Sequence, residues 1–140
     1  MSRSVFGWIV RHLRWLARIP GVPHFFDTIL FLSTAVFQPR RRAAMEELEA
    51  EVLRLLPCRL ATHRLGGSAY RIEGREIAHL HGNGLLDVHL DRVQAIAFVA
   101  ERRAEQHHFL GDSAWVSYWL EAPDDVPRAL ALIEAAAGVR

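Results

Sequence analysis

The middle of this chain is a succession of short extended segments separated by glycine turns, and this pattern restricts the fold more than any other feature. Stretches with helical periodicity come before and after these segments. Strands gathered between helices are typical of an α+β protein, so we predict an antiparallel sheet of about four to five strands, with helices packed on one face and two N-terminal helices ahead of it. The predicted strands are residues 59–65, 68–72, 76–81, 85–90 and 115–120.

The helical stretches divide the chain into two predicted regions. Residues 1–42 form a basic and apolar helical N-terminal region, and residues 43–140 form the α+β domain. The single cysteine, Cys58, excludes an internal disulfide and indicates a reducing compartment, for which we predict the cytoplasm. The predicted helices are residues 4–18, 25–37, 43–56, 91–103 and a last one after Asp124.

Charge is distributed unevenly between these regions. Residues 1–42 hold seven arginines and one acidic residue, Asp27, for a net charge of +6. The apolar run over residues 25–37 is too short to cross a bilayer, which requires roughly 20 residues. We predict that residues 1–42 bind an anionic membrane surface or a membrane-protein partner, so that the protein is peripheral at the membrane. In the alternative, the two N-terminal helices simply cover the second face of the sheet.

One predicted hairpin, EIAHLHGNGLLDVHL over residues 76–90, concentrates histidine side chains. A three-residue turn at residues 82–84, with its last glycine left-handed, would set His79 opposite Asp87. A two-residue turn at residues 83–84 would instead point Asp87 away from the histidines, because side chains alternate along a strand. With the three-residue turn, one face of the sheet holds His79, His81, Asp87 and His89.

A second group of polar residues follows in the stretch EQHHFLGDSAW, residues 105–115. Imidazoles from both groups, together with a carboxylate, would suit zinc, iron or manganese with an open coordination position. Asp87 would then orient an imidazole or act as a base. In the alternative, the rings and Asp87 only hydrogen-bond one another in a polar network. The predicted metal ligands are His79, His81, His107 and His108.

Other side chains near these histidines are candidates for catalysis or for binding a small molecule. Ser113 is a candidate catalytic residue, although no flanking glycines mark a nucleophile elbow. Tyr70 is predicted to cover the histidine rings, because a two-residue turn at residues 73–74 would place it on their face. Trp115 and Glu105 complete the predicted ligand-binding residues. We predict no nucleic-acid partner, since the domain is acidic and no basic residues interleave with its aromatic ones.

Two stretches of the chain, GREIAHLHGNGLLDVHL and RAEQHHFLGDSAWVSYWL, resemble the bacterial and fungal "luciferase domain" family. The pattern of that family reads approximately G-R-E-x-x-H-x-H-G-x-G-x-x-D, then R-A-E-x-H-H, then D-S-x-W-V-S. Gln106 stands where the family pattern has proline, which affects only local stiffness. The resemblance implies where the site lies and implies no particular reaction; light emission does not follow from these residues.

Two hypotheses for the function follow from these observations. In the first, the protein is a small binding or accessory module of the luciferase-domain type, held at a membrane surface or in a partner complex by its N-terminal helices. In the second, it is a metal-dependent enzyme with a histidine and aspartate site on the sheet. The sequence leaves open whether the protein is an enzyme.

Overall fold

A computed structural model of the protein describes residues 19–64, 66–107 and 111–138. The helices are α1 (Val22–Phe37), α2 (Pro39–Leu55), α3 (Arg92–Ala100) and α4 (Val126–Ala137), with one turn of 3-10 helix, Pro123–Asp125, before α4. The strands are β1 (Arg59–Thr62), β2 (Ser68–Ile72), β3 (Arg75–Leu80), β4 (Leu85–His89), β5 (Glu105–His107) and β6 (Gly111–Trp119). In the described part of the chain these six strands form one antiparallel sheet in the order β1-β2-β3-β4-β6-β5. The α+β prediction is confirmed, with a slightly larger number of strands than predicted.

The strand that the sequence did not reveal is β5, which pairs with β6 at one edge of the sheet. It is only three residues long, and a segment this short shows no alternation of apolar and polar residues. A bulge between Gln106 and His107 interrupts its pairing with β6. The strand brings the side chain of His107 to the sheet, where it is buried.

Helices α2, α3 and α4 pack against one face of the sheet, as predicted. Ala44, Leu48 and Val52 recur at helical spacing along α2 and are fully buried in this core. Helix α3 begins at the predicted cap, Asp91, whose carboxylate accepts a hydrogen bond from the backbone N–H of Gln94 at 2.9 Å. Sheet residues that contribute to this core include Ala78, Leu80, Leu86, Val88 and Val116.

The β3–β4 hairpin has the predicted register. Gly84 is left-handed, with φ of +82°, and the backbone N–H of His81 donates to the carbonyl of Leu85 at 2.9 Å. His79 lies opposite Asp87. Because side chains alternate along each strand, the polar residues of the hairpin point to the face opposite the helical core.

The position predicted for Tyr70 is wrong, because β2 and β3 do not pair in a regular ladder. A bulge leaves Ile77 as an extra residue in β3, so that Tyr70 lies opposite Ala78 on the helix-packed face. A regular ladder would have set Tyr70 opposite Ile77. Tyr70 is instead fully buried in the apolar core. The same bulge brings Glu76 to the histidine face, where its carboxylate contacts His79.

Helix α1 lies on the other side of the sheet, which carries the histidines. Leu30 packs there with Leu85 of β4 and with the partly buried ring of Trp119. For α1, this position agrees with the alternative in which the N-terminal helices cover the second face of the sheet. The buried residues of α1 are Asp27, Leu30 and Thr34.

The structure locates the limits of the N-terminal helices. Helix α2 begins at Pro39, whose ring suits the first turn of a helix, so the predicted boundary between residues 42 and 43 falls inside this helix. The helix predicted over residues 4–18 lies outside the described residues. Among the residues that are described, no helix combines the length and the apolar character needed to cross a membrane.

Candidate functional site

Asp87 of β4 is the centre of a buried polar cluster on the histidine face. Its Oδ2 atom lies 3.2 Å from Nε2 of His79 and 3.5 Å from Nε2 of both His81 and His107. Its Oδ1 atom accepts a hydrogen bond from the hydroxyl of Ser117. Burial would raise the pKa of the Asp87 carboxyl, but hydrogen bonds with His107, His79 and His81 hold that pKa well below its usual range. Asp87 is therefore an anion with three imidazoles arranged around it.

Two of these imidazoles also face a second carboxylate. Nδ1 of His79 lies 2.9 Å from Oε1 of Glu76. Nδ1 of His81 lies 3.7 Å from Oδ1 of Asp27, which comes from α1. Burial alone would lower the pKa of His81, but interactions with Asp27 and Asp87 outweigh that effect and raise the pKa to about 9. The two outer carboxylates orient both rings so that Nε2 faces Asp87.

His63, in the loop after β1, adds a further imidazole to the cluster. Its ring stacks on that of His79, with centroids 3.9 Å apart and planes 7° from parallel. Its Nε2 atom lies 3.4 Å from Oε1 of Glu76. Burial and the neighbouring His79 lower the pKa of His63 to about 4, against the opposing effect of Glu76. The ring is therefore neutral at pH 7.

Two sets of side chains in the described part of the chain bring three potential metal ligands within 4.8 Å of one another. In the first set, His79, His81 and Asp87, the two imidazole planes are 88° apart. In the second set, His63, Glu76 and His79, the two imidazoles are stacked and nearly parallel. The lone pair of a ring nitrogen lies in the ring plane, so the lone pairs of stacked rings do not meet at one point, whereas those of perpendicular rings are able to. The first set is the better candidate for a metal centre.

The indole of Trp115, on β6, lies beside the cluster. Its ring centroid is 5.2 Å from that of His79, 4.9 Å from that of His89 and 6.3 Å from that of His107. Trp115 thus occupies the covering position that the sequence analysis assigned to Tyr70. An apolar ring in this position limits the access of water to the imidazoles.

The structure places several of the predicted site residues in this cluster: Asp87, His79, His81, His107 and Trp115. The hydroxyl of Ser113 accepts a hydrogen bond from the backbone N–H of Trp115 at 3.1 Å, a contact within its own strand. Glu105 lies opposite Ser117 at the sheet edge and is exposed. His108 lies outside the described residues.

Sequence reasoning missed four members of the cluster: Asp27, His63, Glu76 and Ser117. Glu76 and Ser117 stand within the stretches that resemble the luciferase-domain pattern, so that pattern was a usable signal for them. Asp27 is the one acidic residue among the first 42 residues, and the sequence analysis used it only in the net charge of that region. No local signal marks His63, because its place in the cluster depends on how β1 and β2 pair.

Comparison with known proteins agrees with the resemblance seen in the sequence. A family model described as Luciferase domain matches residues 74–136, a span that runs from the turn before β3 into α4. Asp27 and His63 lie outside this span. No curated protein and no solved structure matches the chain significantly. The chain is therefore similar to the Luciferase domain family over residues 74–136.

Proposed function

We propose that this luciferase-like domain binds a divalent transition-metal ion between His79, His81 and Asp87, and that the ion serves a metal-dependent reaction. One observation carries the proposal: each of the two imidazoles faces a carboxylate at Nδ1 and faces Asp87 at Nε2. A histidine that ligates a metal commonly has such a carboxylate at its other ring nitrogen. Zinc, iron(II) and manganese(II) all accept imidazole and carboxylate ligands.

The distances between the donor atoms suit a small ion. Zinc lies about 2.0–2.2 Å from imidazole nitrogen and carboxylate oxygen, which sets the ligand atoms of a tetrahedral site about 3.3–3.6 Å apart. Nε2 of His79 and Nε2 of His81 lie 3.2 and 3.5 Å from Oδ2 of Asp87. Only small movements of these side chains would be needed to admit the ion.

The charge of the cluster also favours a cation. Asp27, Glu76 and Asp87 bring three carboxylates to the two imidazoles. Without metal His81 is protonated at pH 7, since its pKa is raised to about 9 despite burial. An ion at Nε2 would replace that proton, so metal binding should release a proton and should weaken as the pH falls.

Three protein ligands would leave a coordination position open, as catalytic metal sites do. Nε2 of His107 lies 3.5 Å from the carboxylate oxygen that would ligate the ion. His107 is therefore close enough to accept or donate a proton for a molecule bound at the open position. These features favour a metal-dependent enzyme over a purely structural metal site.

Calorimetric titration with zinc tests this proposal. We expect the wild-type chain to bind one zinc ion, and His81→Gln to weaken binding on the order of 100-fold or more, because a ligand and its orienting carboxylate contact are both lost. His89→Gln is the matched control, since His89 lies on the same sheet face against Trp115 but outside the proposed ligand set. Failure of the wild type to bind zinc, manganese or iron(II), or an equal loss in both variants, would contradict the proposal.

A second function, association with an anionic membrane surface, is favoured by the outer face of α1. Phe25, Ile29, Leu32 and Val36 follow one another at spacings of three and four residues, which forms a single stripe along the helix. Phe37, the last residue of α1, is 78% exposed. Contiguous exposed apolar surface is uncommon on soluble monomers and commonly marks a surface that contacts a membrane or a partner.

Arginines lie next to this apolar stripe. Arg40 and Arg42 are in the first turn of α2, shortly after Phe37; their side chains are 74% and 46% exposed and form ion pairs with Asp124 and Glu46. Four further arginines precede α1 in the sequence. A basic residue near an anionic bilayer contributes about 1 kcal/mol to binding, so this combination of apolar and basic residues fits an anionic lipid surface.

Vesicle flotation tests the membrane proposal with a matched pair of double variants. We expect the wild-type chain to float with vesicles that contain phosphatidylserine, and less so at high salt, because salt screens the arginines. Val36→Ser with Phe37→Ser should reduce flotation strongly. Val93→Ser with Ile96→Ser, on α3, removes side chains of comparable exposure, 78% and 63%, and should not. A wild-type chain that stays in the soluble fraction, or equal losses in the two double variants, would remove this proposal.

A further inference from the structure

We propose that Asp27 is a positioning residue of the metal site and that α1 is consequently part of that site. The inference rests on the proposed metal function and deepens it. Asp27 belongs to α1, and α1 lies wholly outside the segment that matches the Luciferase domain family. On this inference, residues 74–136 alone would lack one of the groups that orient the metal ligands.

Two glycines allow α1 to approach the sheet closely at Asp27. A Cβ atom at Gly82, in the β3–β4 turn, would lie 2.6 Å from the carbonyl oxygen of Asp27 and 2.7 Å from the backbone nitrogen of Phe31. A Cβ atom at Gly66, in the β1–β2 loop, would lie 2.3 Å from Cβ of Asp27. Both loops therefore contact the same turn of α1, and a side chain at either glycine would displace the helix.

The contacts of Asp27 are those of a residue that orients an imidazole. Its side chain is buried, and Oδ1 accepts a hydrogen bond from the backbone N–H of Gly82 at 2.8 Å. The same oxygen lies 3.7 Å from Nδ1 of His81. The Gly82 contact fixes the carboxylate, and the carboxylate in turn favours a proton on Nδ1 of His81, which leaves the Nε2 lone pair available to the ion. Asp27 would thus serve His81 as Glu76 serves His79.

A thermodynamic consequence follows for the helix. If the charge of Asp27 strengthens metal binding, then metal binding must stabilise the docked position of α1 by the same free energy. Hydrogen exchange of the α1 backbone amides should therefore slow when zinc is added, and this slowing should depend on Asp27.

The test compares Asp27→Leu and Asp27→Asn with the surface control Glu47→Gln, whose site is exposed on α2. We expect Asp27→Leu to weaken zinc binding about 10- to 100-fold, as loss of an orienting partner typically does, and Asp27→Asn to weaken it less, because the amide oxygen still accepts from Gly82 and still faces Nδ1 of His81. Glu47→Gln should bind zinc as the wild type does. Zinc should slow exchange in α1 of the wild type and of Glu47→Gln, and should not do so in Asp27→Leu.

The outcomes separate this inference from the proposed function. If a folded Asp27→Leu variant bound zinc with wild-type affinity, the inference would be overturned and the proposed metal site would remain. If that variant does not fold, the same comparison is made with Asp27→Asn. A wild type that binds no zinc would remove the proposed function instead. The imidazole ¹⁵N shifts of the metal-free protein then decide whether Asp27 orients the His81 ring: a change at His81 and none at His89 in the Asp27 variants supports that role, and an unchanged His81 overturns it.

Discussion

Asp87→Asn should lower the free energy of unfolding of the metal-free protein by about 3 kcal/mol and abolish measurable zinc binding. The side chain is fully buried, and its Oδ2 atom is within 3.5 Å of the Nε2 atoms of His79, His81 and His107. The neutral amide of asparagine cannot offset the positive charge of His81. It also presents either its N–H₂ group or its oxygen, a weaker acceptor than a carboxylate, to the three imidazoles around it. Loss of one partner from a buried charged network is costly because the other charge stays buried without compensation.

Ser117→Ala is the matched control for this substitution. It removes the hydrogen bond that Oδ1 of Asp87 accepts and leaves the carboxylate charge in place. We expect Ser117→Ala to lower the free energy of unfolding by about 1–2 kcal/mol and to bind zinc nearly as tightly as the wild type does. Urea denaturation of both variants measures the difference. Equal stability of Asp87→Asn and Ser117→Ala would show that the imidazoles do not depend on the charge of Asp87.

Gly82→Ala should give the second-largest loss in the free energy of unfolding, because the added methyl group displaces α1 from the sheet. The added Cβ atom would lie 2.6–2.8 Å from Asp27 and Phe31, and two of the three close atoms belong to the α1 backbone, which cannot move aside as a flexible side chain can. Overpacking of this kind typically costs about 1–3 kcal/mol. We also expect faster hydrogen exchange throughout α1, because the helix would lose its contact with the β3–β4 turn.

Gly74→Ala separates this contact from the general cost of replacing a glycine. Gly74 has φ of +80°, so alanine there is strained by about 1–2 kcal/mol, but nothing lies within 4 Å of its added Cβ atom. Exchange in α1 should therefore be unchanged in Gly74→Ala. If the two variants affected α1 equally, close packing at Gly82 would not be what holds the helix.

The register of the β3–β4 hairpin was predictable from the sequence as one of two alternatives, because the glycines on either side of Asn83 allow either a three-residue or a two-residue turn. The structure has the three-residue turn with a left-handed last residue, and strict alternation then decides which side chains share a face. That is why the positions of His79, His81 and Asp87 were correct. The family pattern pointed to the same hairpin independently.

The bulge in β3 was not predictable, because neither glycine nor proline marks it. A single extra residue, Ile77, reverses the face of Tyr70 and brings Glu76 to the histidines. The contributions of Asp27 and His63 depend on long-range packing of α1 and of the loop after β1. Periodicity within one segment carries no information about such contacts.

Anomalous diffraction at the zinc absorption edge, from crystals of the full chain grown with zinc, tests the central claim most directly. The account predicts an anomalous peak about 2.0–2.2 Å from Nε2 of His79, Nε2 of His81 and a carboxylate oxygen of Asp87. A histidine face without such a peak, or a zinc ion held instead between His63 and Glu76, would contradict it.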